Sequence, residues 1–174
     1  MKIILTDREY KFIEMLSIGR HFLKDIVIPD RDMERWCNTQ KEADMIGVMG
    51  EYAVAKYLNI PFDTTINLEG DGGQFDMFLG DWPIQVKSTK YPTGRLVFNN
   101  MEEITALIYI LAVCNIEKKS VDMVGYASHN DLTKNLYVKD LGHGTRYCID
   151  QDKLKDISWL TFYYQQHKNK SIYE

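Results

Sequence analysis

The turn at Gly80-Asp81 is the feature of the sequence that most constrains the fold. Apolar and polar residues alternate on both sides of it, over residues 75–79 and 82–89, which is the pattern of half-buried strands. Gly-Asp favours a two-residue hairpin turn because glycine adopts the positive φ that this turn needs. Since paired residues of an antiparallel ladder keep a constant index sum, Asp76 then lies opposite Gln85. The sequence therefore predicts a hairpin of fixed register.

Strand alternation sorts the side chains of this hairpin onto two faces. The polar face holds Asp76, Gln85, Lys87 and Thr89. Opposed Cβ atoms lie roughly 4.5–5.5 Å apart, and Lys87 lies roughly 7–8 Å diagonally from Asp76. A metal ion or a water fits between these groups, although an ordinary solvated hairpin explains the same residues. The apolar face, predicted to be core, holds Phe75, Met77, Leu79, Trp82, Ile84 and Val86.

A helix before the hairpin supplies a further carboxylate. Thr6 and Thr39 are each followed three residues later by Glu, the capping-box pattern of a helix start. The two helices are predicted to run to about residues 24 and 59. Glu51 falls at the edge of the apolar arc of the second helix, so we expect it beside the sheet on which that helix packs. The predicted apolar face of the first helix is Phe12, Met15, Leu16, Phe22 and Leu23.

Short apolar runs bounded by turn residues predict the other strands. The run 104–114 is apolar nearly throughout, which indicates a central strand covered on both faces. Ser128 is the predicted N-cap of a short helix, and one or two helical turns are expected near the C-terminus. The further predicted strands are 62–66, 96–98, 105–113 and 121–127.

The chain of 174 residues with 45% apolar content is long enough for one substantial core. We therefore expect one domain over 1–174, with a helical segment over 1–38, a core at about 39–140 and small elements over 141–174. The net charge of −4 argues against a generally basic surface but leaves a local basic face open. No apolar run is long enough to cross a bilayer, and three scattered cysteines indicate buried thiols, so a cytoplasmic protein without membrane contact is expected.

The chain carries Glu51, Asp76, Gln85 and Lys87 in this order. In this it resembles the PD-(D/E)XK nuclease superfamily, which includes Holliday-junction resolvases and phage nucleases. The matching segments are GVMGEYAVAKYL, GGQFDMFLG and WPIQVKSTK, and the resemblance covers about residues 40–127. It implies an α/β fold with a restriction-endonuclease-like αβββαβ core, a mixed central sheet flanked by helices, and here an extra N-terminal helix. It also implies a metal-dependent nuclease, most often a DNA endonuclease, in a bacterial or phage-infected cell.

The resemblance assigns roles residue by residue. Asp76 is the implied central Mg²⁺ ligand, joined by the amide oxygen of Gln85, the carbonyl of Val86, and Glu51 directly or through water. Mn²⁺ can substitute for Mg²⁺ at such a site. Lys87 is implied to position the attacking water and to stabilise charge on the phosphate. Hard oxygen ligands and a nearby cation suit this chemistry.

The implied partner is duplex or branched DNA, and a homodimer is plausible because cutting two strands usually recruits two sites. Lys90 and Arg95 follow the catalytic strand and are the candidate DNA contacts, with ordinary solvated side chains as the alternative. Glu69 and Asp71 precede Asp76 and either support the metal site or serve loop solubility.

Two departures from the family pattern bear on activity. Gln85 stands where most members carry Glu or Asp, so the site has one negative charge fewer and a weaker expected metal affinity. The segment NNMEEITA leaves barely one turn for the helix that follows the lysine strand. A catalytically inactive module that binds nucleic acid or protein is therefore the alternative function.

Overall fold

The chain forms a mixed α/β fold whose larger sheet separates two hydrophobic cores. The structure, a computed structural model, describes residues 1–27, 33–66, 75–142 and 144–168. Single turns of 3₁₀ helix lie at Met101–Glu103 and Gln151–Lys153. The helices are α1 (Asp7–Val27), α2 (Met33–Leu58), α3 (His129–Asn135) and α4 (Ile157–Lys168). The strands are β1 (Lys2–Ile4), β2 (Met77–Leu79), β3 (Trp82–Thr89), β4 (Leu96–Phe98), β5 (Ile108–Asn115), β6 (Ser120–Ser128), β7 (Tyr137–Asp140) and β8 (Thr145–Ile149).

The larger sheet has the order β1-β6-β5-β3-β2. Strands β3 and β5 are parallel, and every other pair of neighbouring strands in this sheet is antiparallel. Strand β5 is central and buried over most of its length, which confirms the prediction from the apolar run. Parallel neighbours need a crossover, and here it passes through β4 and the 3₁₀ turn Met101–Glu103. The prediction that this crossover holds barely one helical turn is also confirmed.

The predicted register of the β2–β3 hairpin is confirmed for the three pairs of the ladder, from Met77 with Ile84 to Leu79 with Trp82. Gly80 has a φ of 60° in the turn, and Met77 pairs with Ile84. Asp76 lies just before β2, and its N–H donates to the carbonyl of Ile84 at 3.1 Å, so its backbone bond is shifted by one residue from the predicted pairing with Gln85. The local turn and the period of two were thus sufficient to define the three pairs of the ladder.

Phe75 was wrongly predicted to lie on the core face with Met77. The ladder begins two residues later than predicted, so alternation does not extend to Phe75. Its ring instead meets Phe78 edge-on, with centroids 5.8 Å apart, and packs against the second core.

The two faces of the larger sheet are covered by different elements. Helices α1, α2 and α4 contribute side chains to the core on one face. The small sheet β4-β8-β7 and α3 enclose the core on the other face. Helix α2 approaches β3 closely, since a Cβ added at Gly50 would lie 3.1 Å from the Cβ of Ser88 and 3.2 Å from that of Ala112. This contact fixes α2 over the strand that carries Lys87.

The start of α1 follows the predicted capping box. Thr6 N donates to Glu9 Oε2 at 2.8 Å, and Glu9 N donates to Thr6 Oγ1 at 3.3 Å. The predicted start of the second helix at Thr39 is wrong, because α2 already begins at Met33. Met, Glu and Arg are good helix formers, so the segment before Thr39 continues the helix and the capping pattern there starts none.

The predicted apolar face of α1 is wrong in part. Ile13 and Leu16 are buried, whereas Phe12, Met15 and Phe22 are 42%, 64% and 63% exposed. Because α1 packs mainly on α2, it buries a narrower stripe than a helix enclosed on two sides. The apolar arc in the sequence of α1 is therefore wider than the stripe of side chains that the helix buries in the core.

Other elements were predicted with mixed success. The short helix capped by Ser128 is confirmed, with Asp131 N donating to Ser128 Oγ at 3.3 Å. Residues 62–66 form no strand, and β1, β7 and β8 were missed because they are short and carry little apolar alternation. Helix α4, of 12 residues, is longer than the expected one or two turns. Within the described portion of the chain, no helix is long and apolar enough to cross a membrane.

Candidate active site

The carboxylate of Asp76 lies at the edge of β3, just before the first residue of β2. Its Oδ2 accepts hydrogen bonds from the backbone N–H of Val86 at 2.6 Å and from Nε2 of Gln85 at 3.0 Å. The carboxylate therefore takes the place of the carbonyl that a longer β2 would offer to β3. Hydrogen bonds to an ionised acceptor are short and strong, so Asp76 is fixed in position by the hairpin itself.

Three oxygen donors can converge at this edge. The N–H and C=O of one strand residue point to the same side, so the carbonyl of Val86 faces the edge at which Asp76 lies. A half-turn of the Gln85 amide would bring its oxygen to the position that Nε2 now occupies. Carboxylate, amide and carbonyl oxygens are the hard ligands that Mg²⁺ takes alongside waters and substrate phosphates. The residues fit such an ion, although with a single negative charge among them.

Acidic, histidine and cysteine side chains form no separate metal-binding cluster among the described residues. In the ranges that the structure describes, no group of three His, Cys, Asp or Glu side chains is placed to hold a metal ion. Glu69 and Asp71, which precede the hairpin, lie outside the described residues.

Lys87 lies on the polar face of β3, next to Gln85, as predicted. Its Nζ is 4.0 Å from Oε2 of Glu103 and 5.5 Å from the ring centroid of Phe98. The side chain remains 33% exposed. Lys87 is thus held between a carboxylate and an aromatic ring while its ammonium can still reach an anion.

Glu103 was not predicted from the sequence. It ends the 3₁₀ turn, where its N–H donates to Oδ1 of Asn100 at 3.0 Å and its Oε2 accepts from the N–H of Asn99 at 3.1 Å. Burial raises the pKa of the Glu103 carboxyl, but the bonds from Asn99 and the nearby charges of Lys87 and Arg146 hold that pKa below its usual range. Glu103 is therefore a fixed anion beside Lys87. Asn100 and Glu103 have the spacing of a helix cap, yet nothing local indicates the contact with Lys87.

Glu51 is placed on α2 immediately after Gly50, the residue that contacts β3. Its Oε2 accepts a hydrogen bond from Nη1 of Arg20 at 3.0 Å, with side chains 20% and 10% exposed. Arg20 also donates to the carbonyl of Asp63 at 3.0 Å. Glu51 therefore joins α1 to α2, and its role in a metal site stays a prediction.

Lys90 and Arg95 occupy different surroundings. Nζ of Lys90 lies 2.6 Å from Oε2 of Glu42 on α2, and this hydrogen bond raises the Lys90 pKa. Nη1 of Arg95 donates to the hydroxyl of Tyr137 at 2.7 Å and lies 3.4 Å from Oδ1 of Asp150. Arg95 lines the same cleft as Lys87. The structure thus brings Arg95, but not Lys90, to the lining of that cleft.

No family model, no curated protein and no solved structure matches this chain.

Proposed function

We propose that this chain is a metal-dependent nuclease of the restriction-endonuclease-like type, acting on phosphodiester bonds of DNA. The observation that carries the proposal is the carboxylate of Asp76, fixed by Gln85 and Val86 at the edge of β3, the strand that also carries Lys87. The order of α2, β2, β3, β4, a 3₁₀ turn and β5 also supports it. That order is compatible with an αβββαβ core whose second helix is reduced to one turn and whose third strand belongs to the small sheet.

Each residue has a defined task in such a site. Bound Mg²⁺ would supply a hydroxide nucleophile and neutralise charge on the phosphoryl oxygens. Asp76, Gln85 and Val86 would hold the ion through three oxygens. Lys87 would orient the attacking water and place a positive charge at the scissile phosphate, where charge develops in the transition state. Glu51 would contribute through a water, because its carboxylate already binds Arg20.

A non-catalytic module that binds nucleic acid or protein is the second candidate. The neutral amide of Gln85 beside Asp76 favours it, because the donor set then carries one charge. The ion pair between Glu51 and Arg20 also favours the non-catalytic module, because the charge of Glu51 is then neutralised by Arg20 rather than by a metal ion. A neutral ligand weakens the electrostatic attraction for Mg²⁺ but does not remove an oxygen donor, so the two candidates differ in metal affinity and cleavage.

Cleavage of supercoiled plasmid and of branched DNA, with Mg²⁺ and with EDTA, separates the two candidates. We expect nicking with Mg²⁺ alone, and a loss of about 100-fold or more for Lys87→Ala and for Asp76→Asn, since removing one preorganised charge costs this much in comparable sites. Lys153→Ala is the matched control, because Lys153 is an exposed lysine on the other 3₁₀ turn, where it lies 3.1 Å from Asp152. Gln85→Glu should lower the Mg²⁺ concentration needed for half-maximal cleavage.

Two outcomes would change the assignment. DNA binding without metal, and without nicking by any variant, would favour the non-catalytic module. Cleavage that survives Lys87→Ala unchanged would refute the role given to Lys87. Sedimentation of the protein with and without DNA would test the predicted homodimer.

A further inference from the structure

A cleft of about 430 Å³ opens beside Lys87, at the end of β3 and along the loop that follows it. Among the described residues of its lining, Lys87 and Arg95 are cations, Tyr91 supplies an aromatic ring, and Thr89 and Thr93 supply hydroxyls. None of the described residues that line it is acidic. In a chain with a net charge of −4, this composition selects an anion that also carries a flat or apolar group.

The wall of the cleft is held by hydrogen bonds from outside the loop. Nε2 of Gln151 donates to the carbonyls of Pro92 and Gly94, at 2.8 Å each. Within the loop, the N–H of Gly94 donates to the carbonyl of Tyr91 at 2.8 Å. A site that is ordered before binding loses less conformational entropy when the ligand enters. The cleft is therefore formed in advance rather than assembled around a ligand.

Positive charge continues past the cleft onto the small sheet. Lys139 and Arg146 are directly opposite each other on β7 and β8, an arrangement of like charges that is unfavourable by itself. The charge of Arg146 also lowers the pKa of the Glu103 carboxyl, the group that lies beside Lys87. A chain of phosphates passing along this surface would offset that repulsion.

We propose that the cleft binds one nucleotide of a single-stranded nucleic-acid segment, with a phosphate at Lys87 and Arg95 and the base on Tyr91. The proposal rests on the proposed nuclease function and specifies the substrate of the same site. A volume of about 430 Å³ admits a nucleotide but not a duplex. Tyr91 is 63% exposed, and the Nζ of Lys90 lies 5.8 Å from its ring centroid. Stacking on such a ring binds any base, because every base has a π-face.

Binding without cleavage is measured by fluorescence anisotropy in EDTA, with labelled oligothymidylate, oligouridylate and a blunt duplex as probes. We expect either single strand to bind more tightly than the duplex. Tyr91→Ala should weaken single-strand binding by at least about fivefold, the lower end of the effect of removing one stacking ring. Tyr91→Phe should retain it, and Arg95→Gln should reduce the slope of log affinity against log salt by about one.

The matched control is Trp159→Ala. Trp159 is a 53% exposed aromatic residue on α4. Helix α4 contacts the first residue of β3, Trp82, through the ring of Tyr164, with ring centroids 5.9 Å apart. That contact is about 17 Å along the strand from Lys87, the cleft residue nearest to it in β3. This variant should bind single strands as the unaltered protein does.

Equal binding by Tyr91→Ala and the unaltered protein would overturn the inference, as would a preference for the blunt duplex. The two proposals fail separately. Single-strand binding that depends on Tyr91, without any Mg²⁺-dependent cleavage, would uphold the cleft and refute the nuclease. Mg²⁺-dependent cleavage of all substrates with no dependence on Tyr91 would refute the cleft and leave the nuclease standing.

Discussion

Substitution of Gly50 by alanine tests the close contact between α2 and β3, on which the position of Glu51 depends. A Cβ at this position would meet the Oγ of Ser88 too closely. It would also lie 3.1 Å from the Cβ of Ser88 and 3.2 Å from the Cβ of Ala112. A rotation of the serine side chain can relieve the first contact. The two Cβ contacts belong to sheet positions that cannot rotate away.

Two opposing effects decide the sign of the change. Alanine improves the helix propensity of α2 by about 1 kcal/mol relative to glycine. Overpacking of a tight core costs about 1–3 kcal/mol. We therefore expect Gly50→Ala to lower the free energy of unfolding by about 1 kcal/mol. In a Ser88→Gly background, where two of the three contacts are absent, the cost of Gly50→Ala should vanish or become a small gain.

The assay is urea unfolding followed by circular dichroism, with the midpoint compared at constant m-value. Gly47→Ala is the matched control on the same helix, because a Cβ there would meet just the Oε1 of Glu51, at 4.0 Å. It should stabilise the protein by up to about 1 kcal/mol. Stabilisation by Gly50→Ala equal to that by Gly47→Ala would refute the overpacking, as would an equal cost with and without the Ser88 side chain.

Three further predictions concern local features of the fold. Burial raises the pKa of the Glu9 carboxyl, but hydrogen bonds from Lys56 and other donors outweigh it and lower that pKa from 4.5 to about 2; Glu9→Gln should therefore cost about 2 kcal/mol at pH 7, after allowance for partial solvation. A carboxyl group whose pKa is lower in the folded state stabilises the folded protein at pH values above its unfolded pKa, and this contribution is lost as the pH falls. The difference in urea midpoint between Glu9→Gln and the unaltered protein should therefore shrink between pH 4.5 and 2. A constant difference would contradict the assignment. Ser128→Ala removes the hydroxyl that accepts from Asp131 N in the α3 capping box and should cost about 1 kcal/mol, read from the same urea midpoint, whereas no change would mean that the cap is replaced by solvent. Burial raises the pKa of the Cys114 thiol to about 12, so peptide mass spectrometry should find this thiol unmodified by iodoacetamide at about pH 8 in the native protein and modified in urea; rapid native labelling would contradict its burial.

The hairpin at the candidate site could be predicted from the sequence because its information is local. A glycine with positive φ in the turn and a side-chain period of two together set the register of β2 against β3, and the side chains of Asp76 and Gln85 meet at the end of that ladder. Capping at Thr6 and Ser128 was equally local, since donor and acceptor lie three residues apart. The failures at Thr39 and Phe75 came from the same kind of pattern, where the surrounding backbone continued or ended an element at a different residue.

Contacts between distant segments could not be predicted in this way. Lys87 meets Glu103, Lys90 meets Glu42, and Arg20 meets Glu51 across separate elements. Each contact depends on how a helix, a crossover or a sheet face packs, and these surfaces exist only when the elements assemble. The sequence by itself therefore determined the register of β2 against β3, which brings Asp76 to Gln85 on the strand that also carries Lys87. The tertiary structure decided which charges surround them and gave the cleft beside Lys87, because hydrophobic packing brings together residues whose spacing in the chain carries no signal.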